Sequence, residues 1–125
     1  MNESLFKNFP ELDIDYLDAA YGNDAETAAL VFEQYLQDLP ANMNLLNESI
    51  RSQDIESFRH HIHKQKPGFS YVGLTDVSRT FQELQVKCLA KEDISRCKTE
   101  IDQVVSRIHA ATPVLQKLLA QLQGS

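Results

Sequence analysis

Cysteine, glycine and proline are scarce in this chain of 125 residues, which has two, four and four of them respectively. Cys88 and Cys97 are too few and too oddly placed for a disulfide framework or a zinc site, so both read as core thiols. With so little glycine and proline, and 42% apolar residues, low complexity and disorder are excluded. No apolar run approaches the roughly 18 residues that span a bilayer. The opening Met1-Asn2-Glu3-Ser4 lacks the basic and apolar regions of a signal peptide, so a cytoplasmic protein without membrane contact is expected; Met1 favours a free-standing protein, with a fragment of a hybrid kinase left open. Nor is there a glycine-rich phosphate loop, a helix-opening Gly-Lys-Ser/Thr or a kinase signature, which excludes a nucleotide site of its own.

Excess positive charge is missing as well. The net charge of −6 argues against nucleic acid, because binding to a phosphate backbone needs a basic stripe. The bases are nevertheless concentrated: Arg59, Lys64, Lys66 and Arg79, with His60, His61 and His63, face only Asp76 among the acids of that stretch. A basic island on an acidic protein suits an anionic ligand or an acidic partner, and equally a solvated charged face.

What the sequence does contain is helical periodicity. Ala29, Phe32, Leu36, Leu39, Met43, Leu46 and Ile50 step by three and four along a helix placed at about 24 to 52, with Asn23 and Glu26 as a capping pair and Pro40 as a kink. Ile55, Phe58, Ile62, Gln65, Phe69 and Val72 form a second stripe, closed by Gly73 as the C-terminal cap. Val77, Phe81, Leu84 and Cys88 follow Thr75 as the N-cap of a third helix. Ile94, Cys97, Ile101, Val104, Ile108, Ala111, Leu115, Leu118 and Leu122 form a fourth, with Pro113 inside it. No segment has a convincing period of two. These stripes predict an all-α protein over residues 1–125, an antiparallel up-down four-helix bundle at about 24–122. A short additional N-terminal helix at about Asp15 to Tyr21, ended by Gly22, belongs to a cap at about 1–22.

On the second long helix, His63 lies roughly 130° from the centre of the apolar stripe and is expected to meet solvent. Lys66 and Ser70 follow on its flank, one and two turns further on. An exposed imidazole beside a fixed ammonium suits phosphoryl acceptance, since a ring nitrogen attacks and the cation offsets the arriving charge. His60 and His63 at one-turn spacing also suit a metal ion, yet neither has a carboxylate or thiol nearby in sequence and adjacent cations oppose it. His109 reads as a packed or surface histidine.

The stretch His63-Lys64-Gln65-Lys66-Pro67-Gly68-Phe69-Ser70-Tyr71-Val72-Gly73-Leu74 resembles the histidine-containing phosphotransfer (HPt) motif, in which the phospho-accepting histidine is followed by lysine at three, an aliphatic residue at nine and glycine at ten. Leu12 to Tyr21, Asn23-Asp24, Phe32 to Pro40 and Asp54 extend the likeness over most of the chain. The resemblance implies a phosphorelay intermediate: His63 takes a phosphoryl group from an aspartyl phosphate of one receiver domain and passes it to another, with Lys66 as its electrostatic partner. It implies a monomeric phosphocarrier rather than an enzyme with its own ATP site. Its partners would be response-regulator receiver domains and a sensor or hybrid histidine kinase, and any Mg²⁺ would sit in the receiver.

Two positions depart from the family pattern. Pro67 replaces the glycine usual four residues after the histidine, with Gly68 shifted one place on, and Gln85 stands where many relatives have glutamate. Proline at 67 cannot donate to the His63 carbonyl, so a kink at the active residue and a bulkier receiver-facing surface are expected. The same departure favours the alternative, an HPt-like adaptor that docks on receivers or another signalling partner without carrying phosphate. A metal-binding or enzymatic bundle would need Glu-x-x-His pairs facing inward, and neither Glu56 nor Glu100 has histidine three residues on.

Overall fold

The first three helices start where an aspartate is available to receive an orphan backbone N–H. Asp13 accepts from the Tyr16 N–H and opens α1, Ile14–Tyr21. Asp24 accepts from both the N–H and the hydroxyl of Thr27 at the start of α2, Ala25–Arg51. Asp54 accepts from the Ser57 N–H and opens α3, Ile55–Tyr71. The cap of α2 is therefore Asp24 and not the expected Asn23, because the paired bonds to Thr27 fix the start one residue later. α4 runs Thr75–Leu89, a 3₁₀ turn occupies Ile94–Cys97, and α5 runs Lys98–Gln123. The computed structural model describes residues 3–89 and 94–124, with only the backbone of Cys88 and Leu89. The expected core thiol of Cys88 lies outside the described side chains, whereas that of Cys97 is buried.

No strand occurs among the described residues, and α2 to α5 form an antiparallel bundle with α1 as the short extra helix. Cross-helix contacts give the direction, since partners rise on one helix as they fall on the next: Tyr35 and Asn42 meet Phe69 and Gln65, Ser78 and Gln85 meet Lys66 and His63, and Asp76 and Lys87 meet Arg107 and Glu100. Gln65 on α3 donates to the Asn42 carbonyl on α2 at 3.1 Å, and Ser78 on α4 donates to the Lys66 carbonyl at 2.9 Å. Lys87 and Glu100 pair α4 with α5 at 2.8 Å. α2, α3 and α5 continue through Pro40, Pro67 and Pro113.

All nine apolar positions of the fourth stripe, Ile94 to Leu122, are buried, but its first turn is 3₁₀ and the α-helix begins only at Lys98. On α2 the inward face slips at both ends, where Ala28 and Ser49 are buried in place of Ala29 and Ile50. Ser49 tolerates burial because its hydroxyl donates back to the Leu46 carbonyl at 2.9 Å. Gln65 is the other buried polar residue, and while its amide nitrogen is bonded its Oε1 is a buried oxygen without a partner.

The N-terminal segment closes one end of the bundle. Phe6, Phe9, Leu12 and Leu17 are buried, and Phe6 stacks on Phe32 of α2 with ring centroids 6.4 Å apart. Three bonds tie this segment to the turn between α3 and α4: Asp13 N–H to the Gly73 carbonyl at 2.9 Å, Thr75 hydroxyl to Asp13 at 2.7 Å, and Tyr21 hydroxyl to the Tyr71 carbonyl at 2.7 Å. Thr75 is thus the first residue of α4 and not its cap, and its hydroxyl serves a partner 62 positions away.

Candidate functional site

α3 owes its clean ending to Gly73. The Gly73 N–H donates to the Ser70 carbonyl at 3.0 Å and the Leu74 N–H to the Phe69 carbonyl at 2.8 Å, the paired bonds of a Schellman motif. Gly73 has φ of +83°, and a Cβ there would lie 2.9 Å from Leu17 Cδ1 and 3.1 Å from Leu12 Cβ. Glycine is required on both counts. The reversal brings α4 back along α3, so residues near the middle of each helix face one another.

That pairing builds the site. His63 is exposed on α3, and its Nδ1 lies 3.0 Å from the side-chain amide nitrogen of Gln85 on α4. Lys66, one turn after His63, donates to Gln85 Oε1 at 3.3 Å and also to Gln82 Oε1. With the Gln85 oxygen held by the ammonium, its NH₂ group faces Nδ1, so Nδ1 accepts and the neutral ring carries its proton on Nε2. Lys66 therefore stands beside His63 but reaches it through Gln85.

The other motif residues divide by face. Ser78 gives its proton to the Lys66 carbonyl, so the Ser70 hydroxyl, 2.7 Å away, donates to Ser78. Ser70 thereby fastens α3 to α4 one turn beyond Lys66 instead of contacting the imidazole. Pro67 is exposed, about 40° around the helix from His63, and supplies no N–H to the His63 carbonyl. Gly68 lies on another face. It lines a hollow between α2 and α3 with Leu30, Tyr35, His61, Lys64 and Tyr71, and a Cβ at Gly68 would meet nothing within 4 Å. Gly68 does not stand in for a small residue beside His63.

Burial, with the charges of His60 and Lys64, holds the His61 imidazole below its ordinary pKa, while Asp54 acts weakly the other way. His60 and His63 share an open hollow of about 400 Å³ with Glu56, Arg59 and Gln85. Among the described residues no cluster of three potential metal ligands occurs, and no helix is long and apolar enough to cross a membrane. His109 is exposed on α5. Gln85 is the site residue whose role sequence spacing did not show: its position after Leu84 was legible, its bond to His63 across two helices was not.

The Hpt domain family model matches residues 31–125. The chain belongs to the Hpt family. Neither the curated proteins nor the solved structures contain a match to it. Hpt domains are phosphotransfer modules of phosphorelays that interact with receiver domains and histidine kinases, and the helical bundle described above is the architecture of the family. The matched region holds α3, α4 and α5 whole, together with His63, Lys66 and Gln85, whereas α1 and the segment that clasps the α3–α4 turn precede it.

Proposed function

We propose that this Hpt protein is a phosphorelay intermediate in which His63 accepts a phosphoryl group from a receiver aspartyl phosphate and returns it to a second receiver. The observation that supports this most strongly is the Lys66–Gln85–His63 chain of contacts, an exposed imidazole whose tautomer is governed by an amide and whose surroundings hold a cation.

The resting tautomer has its proton on Nε2, the nitrogen away from Gln85. Reversing the Gln85 amide places Oε1 against Nδ1, moves the ring proton there, and leaves a lone pair on Nε2. Lys66 then releases Gln85 and retains Gln82 as an acceptor. The Nε2 lone pair forms the N–P bond as the acyl phosphate P–O bond breaks, and the receiver carboxylate leaves with that electron pair. The proton on Nδ1 stays, held by the Gln85 oxygen, and the freed ammonium of Lys66 faces the incoming charge. Return transfer runs the same steps backwards. The receiver contributes the Mg²⁺ that shields the group in transit. This chain carries the group without an ATP site of its own and acts in the cytoplasm.

Incubation with a phosphorylated receiver and Mg²⁺ tests the proposal. Acid-labile, base-stable label is expected on the protein and is expected to vanish in His63→Gln. Pro67 beside the histidine favours one other reading, the adaptor that docks without carrying phosphate. Stable complexes with receivers, and no label from any of them, would establish that reading instead.

A further inference from the structure

Lys66 is not the only cation beside His63. Its resting ammonium has two glutamine oxygens on it and keeps that of Gln82 when the Gln85 amide reverses. Arg59 lies four residues before His63, on the same side of α3 and one turn earlier, so two cations bracket the imidazole along the helix. Arg59, His63 and Gln85 line one hollow, and the Arg59 side chain is 34% exposed. Its one ion pair is a long contact of 3.4 Å from Nη2 to Glu56, a carboxylate that is itself 79% exposed. A guanidinium has five N–H donors in a fork that fits phosphate oxygens, and this contact engages one nitrogen.

Glu56 gives the arrangement a second property. A carboxylate in the same hollow repels a phosphoryl dianion, and the pair it makes with Arg59 is exposed and weak. When the imidazole gains a dianionic group, the stronger acceptor for the guanidinium becomes the phosphoryl oxygens, one turn away.

We propose that Arg59 is a second phosphoryl-binding residue, held by Glu56 while His63 is bare and transferred to the phosphoryl group when His63 is modified. This rests on His63 being the acceptor. No new bond is made or broken in the switch; an ion pair changes partner. Arg59 then sets how strongly this protein competes with receivers for the phosphoryl group.

The equilibrium distribution of label between this protein and one receiver, at concentrations where the complex does not accumulate, tests this. That distribution depends only on the free species, so docking contacts of Arg59 do not enter it. Arg59→Ala is expected to shift it toward the receiver about fivefold, Arg59→Lys less, and Glu56→Gln in the opposite direction. In the receiver's absence, with phosphoramidate as donor, the Arg59 Nε–H resonance is expected to move on labelling in the wild type and to stay in His63→Gln. Label on His63 with an Arg59→Ala distribution within twofold of wild type overturns the proposal and leaves the phosphocarrier intact. A shifted distribution with an unmoved Arg59 resonance overturns it too. Failure of any label to form on His63 removes the reading beneath it.

Discussion

Gln85 Nε2 lies 3.0 Å from Nδ1 of His63, and the oxygen of the same amide accepts from Lys66. One side chain on α4 thus couples the imidazole of His63 to the ammonium of Lys66. An amide can present either end to the ring, while a carboxylate can only accept.

Gln85→Glu therefore fixes the neutral His63 ring with its proton on Nδ1, where the wild type carries it on Nε2. Long-range ¹⁵N–¹H NMR of the imidazole distinguishes the two. The variant is expected to show the Nδ1–H pattern and to accept label without the amide reversal, whereas Gln85→Ala shows a mixture of tautomers and accepts more slowly.

Gly73→Ala introduces a Cβ at 2.9 Å from Leu17 Cδ1 on a backbone with φ of +83°. Left-handed strain and overpacking together are expected to cost about 2–4 kcal/mol. Urea unfolding should show a lower midpoint with the slope unchanged. Gly68→Ala, where a Cβ meets nothing within 4 Å, should be neutral or stabilising.

The Asp13 carboxyl is held below the ordinary carboxylate range, first by the Thr75 hydroxyl and then by the Tyr16 N–H, against a smaller opposing effect of burial. Because its folded pKa is depressed, its contribution is complete above the unfolded value of about 4 and disappears as pH falls through the folded one. Thr75→Val removes the larger cause. The difference in stability between wild type and Thr75→Val is expected to be largest near neutral pH and to shrink below about pH 4, read from denaturation midpoints across that range.

Pro67→Ala restores a backbone donor to the His63 carbonyl and removes the ring that crowds it. A gain of about 1–3 kcal/mol is expected, visible as a higher Tm. Pro67→Gly gains less stability, and comparing its transfer to each receiver with that of the wild type tests whether the ring selects partners. Unchanged transfer to every receiver removes Pro67 from partner choice.

Periodicity made the bundle legible because burial repeats with the helix: all nine positions of the stripe from Ile94 to Leu122 are buried, while Val105, Val114 and Leu119 between them are only partly so. Legibility ended where a contact depends on another element. Thr75 has the residue type of an N-cap, but its hydroxyl bonds Asp13 in space. Ser49 replaces Ile50 on the inner face of α2 through bonds to its own helix, which hydropathy does not register. His63 and Lys66 were readable from spacing on one helix. Gln85 was visible only as a departure from a pattern, since the register of α3 against α4 decides what it touches.

That register is held by Ser70 and Ser78 within the region the family model matches and also from outside it. Asp13 and Tyr21 bond the two ends of the α3–α4 turn, and Leu12 and Leu17 pack on the glycine at its centre. A slip of α4 by one residue would carry Gln85 about 1.5 Å along the axis and about 100° around it, away from the imidazole. The segment from Leu12 to Tyr21 thus acts as an alignment jig for a site to which it adds no side chain. A chimera that grafts the matched region onto a foreign leader would inherit His63 without a guarantee of its tautomer.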